Sequence, residues 1–166
     1  MKKHVIYILI LFLMGSCQPE LSGPIGEPFN KLEEIQGDWK LVKVVQHDPI
    51  SEKLNLKLYQ MDISERLPDL FQNITAKFSL SENGEATNFE FNIGDAPFYV
   101  DTVGTWKFDD NQFPTKVLLT HPDSLTITSS LDLGSVPQPG MPIKLKFNRI
   151  HNDEIILTYI YEFVKL

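Results

Sequence analysis

One cysteine, Cys17, is all the thiol this 166-residue chain carries, so no disulfide can form within it and any fold must rest on packing. Long apolar runs are also missing. The longest, Val5 to Met14, spans ten residues, well short of the roughly 20 that cross a bilayer as a helix. Metal chemistry has little to draw on, since His4, His47, His121 and His151 are scattered and form no His-x-x-x-His pair. No glycine-rich loop of phosphate-cradling spacing occurs. His121-Pro122-Asp123-Ser124 contains the letters of a catalytic triad, but consecutive residues in a turn cannot aim at one reacting atom. Asp109-Asp110-Asn111 lacks the alternating oxygens and the distal glutamate of a calcium loop. No catalytic residue, metal ligand or cofactor is therefore assigned, and no enzymatic activity is expected. Basic residues are outnumbered, 15 against 22 acidic, which argues against nucleic acid as a partner and against electrostatic docking of the body onto anionic lipid.

What is present begins at the amino terminus. Lys2 and Lys3 precede the apolar run, and Gly15-Ser16 supply small residues before Cys17, which together read as a secretory signal. Leu13-Met14-Gly15-Ser16-Cys17 resembles the bacterial lipobox. That resemblance implies removal of residues 1–16, acylation of Cys17 and a product anchored in the cell envelope, on the outer membrane, facing the periplasm or the exterior. A plain secretory signal is the alternative, but it leaves a lone thiol in an oxidising compartment. Without residues 1–16 the chain keeps 13 basic and 22 acidic side chains, a formal charge of −9. Residues 17–31 are rich in proline and glycine and read as a flexible tether. Residues 32–166 form a single domain large enough for a real core.

Within that domain the pattern is one of strands. Trp39 to Gln46 is dense in Val and Leu. Ile74, Ala76, Phe78 and Leu80 alternate with polar residues, Asn83-Gly84 marks a hairpin, and Thr87, Phe89, Phe91 and Ile93 continue on the return. Further strands are expected over Phe98–Phe108, Lys116–Thr120, Leu125–Ser129, Ile143–Asn148 and Ile155–Val164, the last two joined by an Asn152-Asp153 turn. Eight strands with short connections predict an antiparallel sheet, closed as an up-and-down barrel or folded into a two-sheet sandwich. Asp48–Asn73 interrupts the rhythm between the first two strands, and within it Asp62–Phe71 is expected to be helical, with Leu67, Leu70 and Phe71 on its apolar face. Glu90, Asp101 and Glu162 fall in strand patterns and are expected to face outward.

Gly37-Asp38-Trp39, set at the start of the first strand in the run Ile35 to Leu41, is similar to the opening of the lipocalin and calycin group. With the lipobox and the Pro/Gly segment, the chain resembles the lipocalin-like domain lipoproteins of Gram-negative bacteria. The resemblance implies an eight-stranded up-and-down barrel with a short helical insertion between the first two strands. It makes Gly37 and Trp39 a structural signature, with Trp39 closing one barrel end under an arginine from a late strand. Arg149, on the seventh strand, is the residue available for that contact. Gly104-Thr105-Trp106 repeats the triplet mid-chain.

Two functions follow as expectations. The first is a binding module holding a small apolar ligand in the barrel, walled by Phe78, Phe89, Phe91, Trp106, Phe147 and Tyr159, with Asp48–Asn73 as a lid and Tyr99, Tyr159 or Tyr161 able to orient a polar head. The second is an accessory or interaction protein of the envelope whose barrel core is filled. The membrane is the expected partner through the Cys17 anchor.

Overall fold

The computed structural model describes residues 29–96 and 100–166. Cys17, the signal, most of the tether, and Phe98 and Tyr99 lie outside these described residues. Among the described residues nine strands form one antiparallel sheet: β1 Gly37–His47, β2 Gln60–Asp62, β3 Thr75–Leu80, β4 Ala86–Asn92, β5 Val103–Phe108, β6 Lys116–Thr120, β7 Ser129–Leu133, β8 Ile143–His151 and β9 Glu154–Lys165. Pairing of β1 with β9 closes eight of them into a barrel, in the order β1-β3-β4-β5-β6-β7-β8-β9. The sandwich is thereby excluded. Closure removes the two free edges that an open sheet would present.

β1 holds the ring together because one of its edges serves two partners. Gly37–Lys40 pairs with β3, while Val45–His47 pairs with the short β2. A bulge between Leu41 and Lys43 separates the two stretches. It bends the strand and turns Val42 out to solvent. The alternation legible in the sequence then sorts the side chains: Ala76, Phe78, Phe89, Phe91, Trp106, Phe108, Val117, Leu119, Ile143, Leu145, Tyr161 and Phe163 all point in and are buried. Glu90 and Glu162 face outward, Glu90 opposite Lys77 and Glu162 bound to Lys144 at 3.3 Å. Asp101 accepts hydrogen bonds from Thr128 and Ser129, tying the approach to β5 onto β7.

Three boundaries differ from expectation. The helix expected over Asp62–Phe71 is reduced to one turn, α3 Pro68–Phe71, because proline has no N–H to give and is accommodated only in a first turn. Asp62 ends β2 instead, and its carboxylate accepts from the Ser64 and Glu65 N–H groups at 3.0 and 3.2 Å. A second turn of helix, α2 Pro49–Lys53, follows β1 directly; Asp48 caps it, accepting from Ile50 and Ser51 N–H at 2.9 Å each. The strand expected at Leu125–Ser129 is shifted to Ser129–Leu133. Leu125 is fully exposed while Leu131 is buried opposite Val117, so the later of two equally alternating runs is the one that enters the core. The earlier one extends the His121–Thr128 loop. β5 begins at Val103 rather than Phe98.

The β5–β6 connection is held by Asp109, whose carboxylate accepts from the Thr115 and Lys116 N–H groups at 2.9 Å and from the Thr115 hydroxyl. Burial acts to raise this carboxyl, but the hydrogen bonds from Thr115 and Lys116 outweigh it and lower it to about 2. A folded value below the unfolded one, near 4, gives stability present above pH 4 and lost as the pH falls through 2. The side chain is exposed, so screening by solvent limits the gain to about 1 kcal/mol or less. Asp109→Asn should lower stability by that amount at pH 7 and by little at pH 2 in urea denaturation. An equal loss at both pH values would assign the effect to shape instead of charge.

Candidate functional site

The two ends of the barrel are built differently. At the first, α1 (Lys31–Ile35) folds under the strands and buries Ile35 beside Trp39. Trp39 is 2% exposed, and its indole N–H donates to the Ile35 carbonyl at 2.8 Å. Lys165 lies over the ring, its Nζ 5.5 Å from the centroid and 3.3 Å from the Glu34 carbonyl oxygen. This corrects the expected pairing with Arg149. Trp39 is opposite Lys165 on β9, whereas Arg149 is opposite Leu157, eight residues away, or about 26 Å at the rise of a strand. Arg149 therefore belongs to the other end. Gly37 adopts φ +122, and a Cβ there would stand 3.0 Å from Lys165 Cε. This end is plugged.

At the second end, the insertion between β1 and β3 crosses the mouth. Its Ile63, Leu67, Leu70 and Phe71 face Val44 and Gln46 of β1 and Tyr159 and Tyr161 of β9, and the eight enclose a cavity of about 200 Å³. The roof is latched to β1. Ile63 N–H donates to the Val44 carbonyl at 2.9 Å, Val44 N–H donates to Ser64 Oγ at 3.2 Å, and Ser64 Oγ donates to Asp62 at 2.6 Å. Lys43 adds an ion pair with Asp62 at 3.2 Å. Burial raises the Asp62 carboxyl, but the Ser64 hydroxyl, the Glu65 N–H and Lys43 together hold it below its ordinary value, so it stays ionised and the latch stays charged.

The cavity walls are hydrocarbon and aromatic, with one amide, from Gln46, and two phenols. Tyr159 and Tyr161 stand stacked, ring centroids 6.5 Å apart. Such walls select by shape and apolar area, and the amide and phenols can orient a polar group. A larger depression, of about 420 Å³, runs outside the barrel over β3–β5 between Lys77, Ser79, Asn88, Glu90 and Thr105. It is an open groove between outward-facing side chains.

Of the six residues expected to wall a ligand site, Tyr159 alone lines this cavity. Phe78, Phe89, Phe91 and Trp106 pack on one another: centroids are 5.3 Å apart for Phe78–Trp106, 5.5 Å for Phe89–Phe91 and 5.9 Å for Phe78–Phe91. Trp106 donates its indole N–H to the Ser79 carbonyl at 3.1 Å. These four rings are core, and they fill the middle of the barrel. Phe147 is half-buried in a cleft of about 350 Å³, where β7 and β8, paired only at Asp132–Lys146 and Leu133–Leu145, part. The roof residues had a sequence signal, the apolar spacing of Leu67, Leu70 and Phe71. Val44 and Gln46 had none, because the bulge that re-aims them is invisible in the pattern.

His47, His121 and His151 do not line the cavity. His47 Nε2 is 3.0 Å from Glu52 and its ring meets Tyr59 edge-on, while His121 hydrogen-bonds within its own turn through Asp123 N–H.

A closed eight-stranded antiparallel barrel with one plugged end and an insertion roofing the other fits a lipocalin-like fold. The chain belongs to a family defined as a domain of unknown function, DUF5004, whose model matches residues 18–138. The match ends before β8 and β9, so Tyr159 and Tyr161 lie beyond it. No curated protein matches the chain.

Proposed function

We propose that the chain is a non-enzymatic, lipocalin-like binding lipoprotein of the cell envelope, anchored to the outer membrane through Cys17, that holds the apolar end of a small amphipathic molecule under its insertion. The observation that carries the binding half is the roofed cavity between Val44, Tyr159 and Tyr161 on one side and Ile63, Leu67 and Leu70 on the other. Its 200 Å³ is below the roughly 300–1,000 Å³ of sites that enclose a drug-sized ligand. The fit is therefore a ring or a short length of alkyl chain, with the polar part left at the mouth beside Gln46. The basic start, the apolar run and the lipobox-like Leu13–Cys17 support the anchor. The filled centre of the barrel favours a second reading, an interaction protein of the envelope with no small-molecule ligand.

One preparation tests both halves. Cells fed a clickable fatty acid should yield labelled wild-type protein and unlabelled Cys17→Ala; equal labelling removes the anchor. The purified protein should bind an environment-sensitive fluorescent fatty acid at micromolar concentration, and Leu70→Trp, which fills the cavity, should weaken binding about tenfold or more. No binding by wild type, or equal binding by the variant, would leave the interaction reading in its place.

A further inference from the structure

The insertion carries an exposed apolar surface that its own fold does not use. Ile50, Leu54, Leu56, Leu58 and Leu67 all stand out from it, Leu54 at 64% and Leu58 at 79% of full exposure. Burying such side chains is favourable in proportion to the apolar area removed from water. Five left in water on one short segment mark a surface meant to be covered.

The charges among these leucines are sorted. All three acidic residues between positions 48 and 62 are engaged: Asp48 caps α2, Glu52 meets His47, and Asp62 is held by Ser64 and Lys43. Lys53, Lys57 and Arg66 are exposed, and none enters an ion pair among the described residues. Arg66 stands among the exposed carboxylates Glu65 and Asp69, so the free positive charge of the patch is that of Lys53 and Lys57. A chain of net charge −7 thus presents, at one end, free positive charge interleaved with leucine in the run Lys53-Leu54-Asn55-Leu56-Lys57-Leu58.

We infer that this end docks on a lipid bilayer bearing anionic phospholipid headgroups, the leucines entering the interface while Lys53 and Lys57 meet the phosphates. Leucine gains by leaving water without needing a shaped pocket, and each lysine or arginine near an anionic surface adds attraction. A second copy of the chain is the poorer occupant, because a two-fold contact through this patch sets the same lysines against each other. Leu67 is both exposed and part of the cavity wall, so docking brings the cavity mouth to headgroup depth. Docking does not depend on the cavity holding anything.

The single cysteine makes the test site-specific. In the full chain with Cys17→Ala, Leu56→Cys carries an environment-sensitive dye; a parallel protein carries it at Gln138→Cys, exposed near Trp39 and Lys165 at the plugged end. Vesicles of equal parts phosphatidylglycerol and phosphatidylcholine should shift the emission of the dye at position 56 to the blue and leave that at 138 in place. Lys53→Glu with Lys57→Glu, or vesicles of phosphatidylcholine alone, should weaken the apparent affinity about tenfold or more. Leu70→Trp, which tests the cavity, should dock like wild type, so failure of the ligand reading leaves this result standing. No shift at position 56, a shift indifferent to charge reversal, or a shift that grows with protein concentration without vesicles overturns the proposal; the last would assign the patch to self-association.

Discussion

Trp39→Ala should cost about 3–5 kcal/mol of folding stability, read as a lower urea midpoint with little change in slope. The side chain is 2% exposed, and its removal opens a void between α1 and the first turn of the barrel. It also strands the buried Ile35 carbonyl, which accepts from the indole at 2.8 Å. Lys165→Ala should cost far less, since its ammonium is exposed and contributes about 0.5–1 kcal/mol through the ring. A double-mutant cycle should find Trp39 and Lys165 coupled and Trp39 and Arg149 additive. Coupling to Arg149 would contradict a register that sets the two residues at opposite ends of β9's length. The cation over Trp39 comes from β9, not β8.

How far the sequence could be read depended on whether a feature is local. Alternation within a strand is local, so the inward faces of β3, β4 and β8 were legible from period two alone, and so were the Asn83-Gly84 and Asn152-Asp153 turns. Gly84 adopts φ +77, and Asn152 and Asp153 adopt +50 and +62, as those residue types allow. Which of two alternating runs pairs with a neighbour is a tertiary decision. Leu125 and Ile127 look as strand-like as Leu131 and Leu133, and only the ladder to β6 separates them. The site was legible in part for the same reason. An inward aromatic can wall a lumen or fill it, and the sequence does not say which; contacts among Phe78, Phe89, Phe91 and Trp106 decide for filling. The cavity arises where two distant segments meet, Val44 and Gln46 after a bulge and Ile63 to Phe71 in a roof, with no shared pattern between them.

Gly104→Ala should be the most damaging one-methyl change in the barrel. Gly104 sits at φ +150, where an L side chain is strained by about 1–3 kcal/mol. Strain is the smaller part. A Cβ there would lie 2.1 Å from the Thr120 carbonyl oxygen and 3.1 Å from the Phe89 ring. The carbonyl cannot swing away, because Thr120 is the ladder partner of Thr105 on the next strand. Register explains why a glycine is needed. Gly37, Phe78, Phe89 and Gly104 are successive cross-strand partners over β1, β3, β4 and β5, so a glycine stands at each end of a row with two phenylalanines between. Each glycine precedes a buried tryptophan by two residues, Trp39 in one case and Trp106 in the other. The two Gly-x-Trp triplets thus share a register and a positive φ but not a neighbour: a Cβ at Gly104 meets a carbonyl and a ring, one at Gly37 only the flexible Lys165 side chain. Gly94→Ala is the control, with φ +53 and nothing within 4 Å of the added carbon, and should lose only about 1–2 kcal/mol from the left-handed conformation. Gly104→Ala should lose at least twice that or fail to fold, judged by urea denaturation where soluble and by near-ultraviolet circular dichroism of the buried tryptophans. Equal losses at the two positions would mean that conformation alone matters and that the β5–β6 ladder yields.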